Sequence, residues 1–233
     1  MLLGPDDWEI VILSLKVSGV AMIVTLPIAF GLAWLLSRGR FPGKFLLDGI
    51  VYLPLVLPPV VTGWLLLLAF GNNGPVGRLM NDWFGFTFMF RWTGAALAAA
   101  VMALPLMVRA MRLSIEAVDR RLEGAARTLG ATPAQVFWTI TVPLSLPGVL
   151  AGAVLGFARS LGEFGATITF VSNIPGETRT LPIAIYSALQ IPGSDVQVMR
   201  LAVISVALSL GAVILSEALA RRVNGGTGAG HVL

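Results

Sequence analysis

Hydrophobic residues follow one another along this chain in runs too long for the core helices of a soluble domain. Residues 17–37 and 49–70 contain no charged side chain over 21 and 22 positions, respectively. An α-helix rises about 1.5 Å per residue, so either run is long enough to cross the roughly 30 Å hydrocarbon core of a bilayer. The pattern predicts an all-α integral membrane protein.

Five membrane-spanning helices are predicted from these apolar runs and the charged segments between them. One further apolar segment, 180–194, is bracketed by prolines and is too short to span. We expect it to form a short interfacial or re-entrant helix. The acidic first residues lack the basic start of a signal peptide, so we expect the first span to stay in the mature protein. The predicted spans are 10–37, 47–70, 92–108, 146–171 and 201–220.

The distribution of basic residues predicts the orientation in the membrane. Ten of the 16 lysines and arginines follow the first, third and fifth spans. Cytoplasmic loops carry such an excess, so we expect the C-terminus in the cytoplasm, and the N-terminus and the short 180–194 helix on the periplasmic side. The basic residues flank spans without interleaved aromatic residues, so no nucleic-acid partner is predicted. The ten are Arg38, Arg40, Lys44, Arg109, Arg112, Arg120, Arg121, Arg127, Arg221 and Arg222.

The composition agrees with a membrane protein and excludes several kinds of site. Only 12% of the residues are charged, against about 25% in soluble domains, and 56% are apolar. There is no cysteine, so the chain has neither a disulfide framework nor a thiol metal site, and we expect no bound metal. We expect one transmembrane domain over 1–233, surrounded by lipid, with a flexible glycine-rich tail at 223–233.

The longest predicted cytoplasmic loop, 113–143, has the pattern of two short helices. Apolar residues recur at helical spacing as far as Leu129, and Gly130 suits a helix C-terminus. Thr132 suits the N-cap of a second helix, with Pro133 in its first turn. Two prolines, Pro143 and Pro147, are expected to end that helix and return the chain to the membrane.

Two interpretations of this loop remain open from its residues. It is either an amphipathic connector resting on the lipid headgroups or a segment that docks into a protein groove. The small residues Gly124, Ala125 and Ala126 favour docking, because a helix facing lipid would present larger apolar groups. The residues expected at the docking surface are Glu123, Gly124, Ala125, Ala126 and Gly130.

The predicted fourth span carries two ionisable residues, Arg159 and Glu163, near its middle. Charges at that depth are costly, and their i, i+4 spacing permits an ion pair on one helix face. The pair is either structural, which the pattern favours, or it faces the path of an anionic solute. Thr167 and Thr169 follow in a run of small and hydroxyl residues, and we expect these two to line a polar path.

The loop sequence resembles the Glu-Ala-Ala loop of permease subunits of bacterial ABC importers. That pattern is Glu-Ala-Ala, three residues, Gly, nine residues and Ile-x-Leu-Pro, and its spacing is matched from Gly124 to Pro143. Gly124 stands where the family has Glu, with Glu123 one residue earlier, and Val142 stands where the family has Leu. The resemblance implies that this loop is the coupling helix, which docks into a cleft of a cytoplasmic ATPase.

Nearly the whole chain, apart from its C-terminal tail, resembles permeases for molybdate and tungstate. The phrases that carry the resemblance are SLGEFGATITFVSNIPGETRTLPIAIY, LPLVLPPVVTGWLLL and GAARTLGAT. It implies a multi-pass homodimer in the bacterial inner membrane. Two cytoplasmic ATPase subunits would hold ATP and Mg²⁺, and a periplasmic molybdate-binding protein would deliver the substrate. The first phrase is also similar to sulfate permeases, so sulfate or another oxyanion is the alternative cargo.

The residues themselves predict a transport subunit and not an enzyme. The chain has no P-loop motif, so it needs a partner to use ATP, and no cofactor of its own is expected. An intramembrane enzyme would need nucleophiles, metal ligands or carboxylate pairs deep in the membrane, and only Glu163 qualifies near the middle of a predicted span. A channel without a coupling partner is the other alternative.

Three prolines in the second span, Pro54, Pro58 and Pro59, suit a bent or broken helix that serves packing or alternating access.

Overall fold

The computed structural model describes residues 4–226, with side chains described as far as position 215 apart from Pro5, and at Ala218. These residues form eleven α-helices and one π-helical turn, and no strand occurs among them, so the all-α fold is confirmed. The helices are α1 (Pro5–Arg38), α2 (Lys44–Val56), α3 (Pro59–Phe70), α4 (Pro75–Phe84), α5 (Trp92–Ala117), α6 (Arg120–Thr128), α7 (Pro133–Val136), α8 (Val142–Leu161), α9 (Gly165–Val171), α10 (Leu181–Leu189) and α11 (Asp195–Gly226), with the π turn (Phe137–Thr141) between α7 and α8.

Four stretches within these helices are long and apolar enough to cross a membrane, and the pair α2 and α3 makes a fifth span if counted as one. The four are 6–38, 92–117, 133–161 and 195–215. The five predicted spans correspond to these four stretches and the bent pair. The third predicted span ended nine residues too early, since α5 continues to Ala117. Most of the predicted tail, 223–233, lies outside the described residues.

The second span is broken at Pro58 and Pro59, whereas its third proline, Pro54, lies inside α2. α2 and α3 meet at an angle of 118° across Leu57 and Pro58. Each of these two residues precedes a proline and has an extended backbone, with ψ of 142° and 136°. A residue before proline is sterically disfavoured in the α conformation, and two such residues follow each other here, so the helix ends at this point. The expected bent or broken helix is confirmed here.

The fourth span differs from the sequence prediction at both ends. It was expected at 146–171, after a stop at Pro143 and Pro147, but one apolar stretch runs over 133–161. The π turn joins α7 to α8 without a stop, because the Val142 N–H donates to the Phe137 carbonyl oxygen five residues back. This wider turn leads into Pro143, and Pro147 lies inside α8. The helix ends instead at Leu161, and the separate short helix α9 follows.

α5 forms the centre of the bundle and packs against α8 through a row of glycines. Gly148 lies against Ser114, and Gly152 and Gly156 lie against methionines of α5. A Cβ atom at any of the three would come closer to α5 than ordinary van der Waals contact, so the close approach of the two helices favours glycine. The row was not predicted, although its four-residue spacing is readable in the sequence.

The end of the bundle opposite the 118–141 loop is closed by α10 and the starts of α1 and α11. The Leu181 N–H donates to Ser14 Oγ at 2.7 Å, and Arg200 pairs with Asp7 at 3.4 Å. The short helix predicted within 180–194 is confirmed as α10. Its apolar residues Leu181 and Ala184 are buried against α1 and α11, so it packs on protein. α4, between the second and third spans, was not predicted.

Candidate functional site

The 118–141 loop contains the two short helices that the sequence predicted, joined at Gly130. Gly130 has φ of +92°, a left-handed conformation that favours glycine. The Gly130 N–H donates to the Arg127 carbonyl and the Ala131 N–H to the Ala126 carbonyl, which is the bonding pattern of a Schellman C-cap. Thr132 and Gln135 form a capping box that starts α7.

The first of the two helices is shorter than predicted. The sequence pattern suggested one continuous helix from about Arg112 to Gly130, but α5 ends at Ala117 and α6 begins at Arg120. Asp119 is the N-cap of α6, and its carboxylate accepts a hydrogen bond from the Arg121 N–H at 2.9 Å. Asp at an N-cap competes with helix continuation, so the break has a local cause.

α6 projects from the bundle, and none of its residues is buried. Leu122 is 50% exposed and Leu129, just after the helix, is 89% exposed. Ala125 is exposed beside them, and Ala126 is half-buried. These four residues leave an apolar surface of large and small side chains uncovered by the rest of the described chain.

Glu123 points towards the bundle. Its Oε1 accepts a hydrogen bond from Arg38 Nη2 and another from Thr141 Oγ1, both at 3.0 Å. The side chains of Arg38 and Glu123 are only 12% and 13% exposed. Arg38 Nη2 also donates to the carbonyls of Ile115 and Val118, at the C-terminal end of α5. One carboxylate therefore connects α6 to the ends of α1 and α5 and to the π turn.

Arg38 and Thr141 were not predicted as partners of this loop. The sequence pattern indicated Arg38 only as a charge that sets orientation and Thr141 only as a spacer in the loop motif. They lie 85 and 18 residues from Glu123 in sequence, so no local pattern connects the three. A basic residue at the end of a span and an acidic residue in a later loop on the same side were the available signal.

A pocket of about 410 Å³ lies between α6, the end of α1 and α7 with the π turn. We call it the loop pocket. Two of the predicted docking residues, Glu123 and Gly124, line it on one face of α6. Its lining residues are Trp34, Arg38, Arg40, Arg120, Glu123, Gly124, Arg127, Pro133, Val136, Phe137 and Thr141.

The second predicted site is assembled around the end of α8. Arg159 Nη1 lies 2.6 Å from Glu163 Oε2, so the expected ion pair forms. It does not lie in mid-helix: Arg159 is in the last turn of α8, and Glu163 follows the helix end. The other oxygen of Glu163 accepts the Ala166 N–H at 2.8 Å, in the first turn of α9. Glu163, with its side chain 2% exposed, thus joins α8 to α9.

The two threonines expected to line a path lie on α9 and contact protein. Thr167 is 1% exposed, and the Thr169 hydroxyl donates to the Gly165 carbonyl at 2.8 Å. α9 also packs on the broken second span, since Gly63 of α3 lies directly against Ala166 and Thr169. The structure therefore brings all four predicted path residues to the junction of α8, α9 and α3. Among the side chains that the structure describes, no cluster of acidic or histidine residues could hold a metal ion.

Comparison with known proteins gives concordant matches. Residues 19–225 match the family model described as binding-protein-dependent transport system inner membrane component. The chain is 59% identical to the molybdenum transport system permease protein ModB of Escherichia coli (strain K12), over 95% of this chain and 96% of that one. It is 58% identical to the ModB of Haemophilus influenzae, over 94% of this chain and 96% of that one.

The fold is also similar to that of a solved ABC transporter. A chain of a bacterial alginate ABC transporter, in complex with alginate pentasaccharide-bound periplasmic protein, superposes with a TM-score of 0.74 and 19% identity, covering 94% of this chain and 80% of that one. The chain therefore belongs to the family of binding-protein-dependent transport system inner membrane components, and within it to the molybdenum transport permeases, which are transport subunits and not enzymes.

Proposed function

We propose that this chain is the membrane subunit of an importer that carries molybdate and tungstate across the inner membrane by alternating access. The 59% identity to the Escherichia coli molybdenum permease, over nearly the whole of both chains, is the observation that carries this proposal. A separate ATPase supplies the energy and holds ATP and Mg²⁺. Two copies of the chain pair with two ATPase subunits and receive the oxyanion from a periplasmic binding protein. The N-terminus is periplasmic and the C-terminus cytoplasmic.

The docking surface for the ATPase is the outward face of α6 in this proposal. The exposed side chains of Leu122, Ala125 and Leu129, with half-buried Ala126, would be buried in a cleft of the ATPase. The sharp turn at Gly130 directs this face away from the bundle. Among the predicted docking residues, Glu123 has an indirect role. Its carboxylate is already bonded to Arg38 and Thr141, so it fixes α6 to the bundle and does not contact the ATPase.

The Arg159–Glu163 pair holds together the junction of α8 and α9 that moves during transport. Its charges neutralise each other, and the Glu163 carboxylate also caps α9. The contact of α9 with α3 would pass movement of α8 to the broken second span. Thr167 and Thr169 form part of this gate, and they line the path only when the junction opens.

Reconstitution of the full transporter tests the function. Permease, ATPase and binding protein are placed together in proteoliposomes, and ATP hydrolysis and oxyanion uptake are measured with molybdate, tungstate or sulfate. We expect uptake of molybdate and tungstate that requires ATP and the binding protein. Preference for sulfate would make the chain a sulfate permease, and ATP-independent flux would make it a channel.

A further inference from the structure

Four arginines and a single carboxylate line the loop pocket, and the carboxylate is not free to neutralise them. Glu123 is bonded to Arg38 and Thr141. Among the described side chains, those of Arg40, Arg120 and Arg127 have no hydrogen bond or ion pair. Arg38 Nε is buried there without an acceptor. The pocket thus gathers positive charge and unused N–H donors around a volume of about 410 Å³.

We propose that the loop pocket binds the phosphate group of an anionic phospholipid. Arginine is well suited to phosphate, because its planar guanidinium presents several N–H donors in a fixed geometry. Basic pockets between membrane helices bind anionic headgroups in this way. The inference goes beyond the transport function and does not depend on which oxyanion is carried.

The apolar surroundings of the pocket favour a lipid over a free anion. Trp34 packs edge-on against Phe137 with ring centroids 5.6 Å apart, and both rings line the pocket. Tryptophan is enriched where membrane helices leave the hydrocarbon core. Ile23, eleven residues before Trp34 and so on nearly the same face of α1, is 64% exposed. This apolar surface continues from the pocket along the span, so an acyl chain could follow it while the phosphate lies among the arginines.

The two faces of α6 favour a lipid over a protein as the occupant. Arg120, Glu123 and Arg127 recur at helical spacing on the pocket face. Leu122 and Ala125 lie on the outward face, which is apolar and suits a protein partner. Arg121 is exposed on the same helix but does not line the pocket. Arg120 and Arg127 of this helix therefore face the pocket, whereas Arg121 lies on an open surface. Only the pocket is proposed as a binding site.

The experiment uses the complete permease–ATPase complex in nanodiscs of phosphatidylcholine with increasing phosphatidylglycerol. Native mass spectrometry counts the phosphatidylglycerol molecules retained by each complex. Arg40→Gln, Arg120→Gln and Arg127→Gln are made singly and together, with Arg121→Gln as the matched control. An arginine near an anionic lipid surface contributes about fivefold in affinity, so we expect about that loss for each pocket arginine removed and no loss in the control.

Three outcomes would overturn the proposal. Equal retention by the triple variant and the wild type would show that the pocket does not bind the lipid. Displacement of phosphatidylglycerol by millimolar inorganic phosphate or molybdate would identify a site for free oxyanions. Loss of the ATPase from the triple variant, with lipid retention unchanged, would identify the pocket as a protein contact.

Discussion

Glu123 of α6 and Arg38 at the end of α1 form an ion pair of 3.0 Å, although 85 residues separate them in sequence. The same arginine binds the carbonyls that end α5, and the same carboxylate oxygen binds Thr141 of the π turn. A movement of α6 would therefore act through Glu123 on the spans that contain α1, α5 and α8. In the proposed coupling mechanism, the exposed apolar surface of α6 would dock the ATPase, and this buried polar contact would transmit the movement of α6.

Replacing Glu123 with Gln should reduce molybdate uptake per ATP hydrolysed. Gln keeps an acceptor oxygen but not the charge, so each hydrogen bond would weaken from about 1.5–3 kcal/mol to about 0.5–1.5 kcal/mol, and α6 could move without α1 and α5. Uptake and hydrolysis are measured together in proteoliposomes. Glu116→Gln is the control, because Glu116 is more exposed and pairs only with Arg112 on its own helix. An unchanged ratio of uptake to hydrolysis in Glu123→Gln would contradict the transmitting role.

Replacing Gly130 with Val should uncouple ATP hydrolysis from transport while membrane insertion stays normal. A β-branched residue is strained at φ of +92°, at a cost of about 1–3 kcal/mol, so the turn that orients α6 would be lost. Gly193→Val is the matched control, since Gly193 has a similar φ of +84° and open space around it but lies between α10 and α11, outside the loop. Normal transport by the Gly130 variant would argue against the docking geometry.

Replacing Arg159 with Ala should lower the amount of assembled protein more than it changes substrate choice. The variant leaves the Glu163 carboxylate buried without its cation, and breaking a buried pair in this way costs about 3–5 kcal/mol. Protein level, thermal unfolding in detergent and competition among molybdate, tungstate and sulfate are measured. In Arg159→Ala/Glu163→Gln, where neither charge remains, stability should partly recover. A changed substrate preference at a normal protein level would instead place Arg159 in the path.

Replacing Gly148 with Ala should destabilise the bundle. The new Cβ would collide with the Ser114 side chain on α5, and overpacking of this kind costs about 1–3 kcal/mol. Thermal unfolding of the purified permease measures the effect. Gly49→Ala serves as the control, because its Cβ would lie in open space within α2. Equal unfolding temperatures for the two variants would show that the α5–α8 contact tolerates expansion.

Local patterns accounted for the spans and for the turn chemistry of the loop. The length of an apolar run depends only on neighbouring residues, so the five spans were predictable. The φ preference of glycine at Gly130 and the hydroxyl of Thr132 beside Pro133 are equally local, and both helix boundaries were confirmed. The prolines did not predict reliably where a helix breaks. Pro58 and Pro59 broke the second span, whereas Pro143 and Pro147 were accommodated within a continuous one.

Contacts between distant residues decided the rest. The sequence by itself determined that the chain is a five-span membrane protein with a two-helix loop, because hydrophobic length and capping are properties of adjacent residues. Only the tertiary structure decided that Glu123 faces Arg38, that Glu163 joins two helices after the end of α8, and that three glycines of α8 lie on α5. The physical reason is that a side chain's partner depends on which helix ends the packed bundle brings together, and that proximity is not encoded in any one segment.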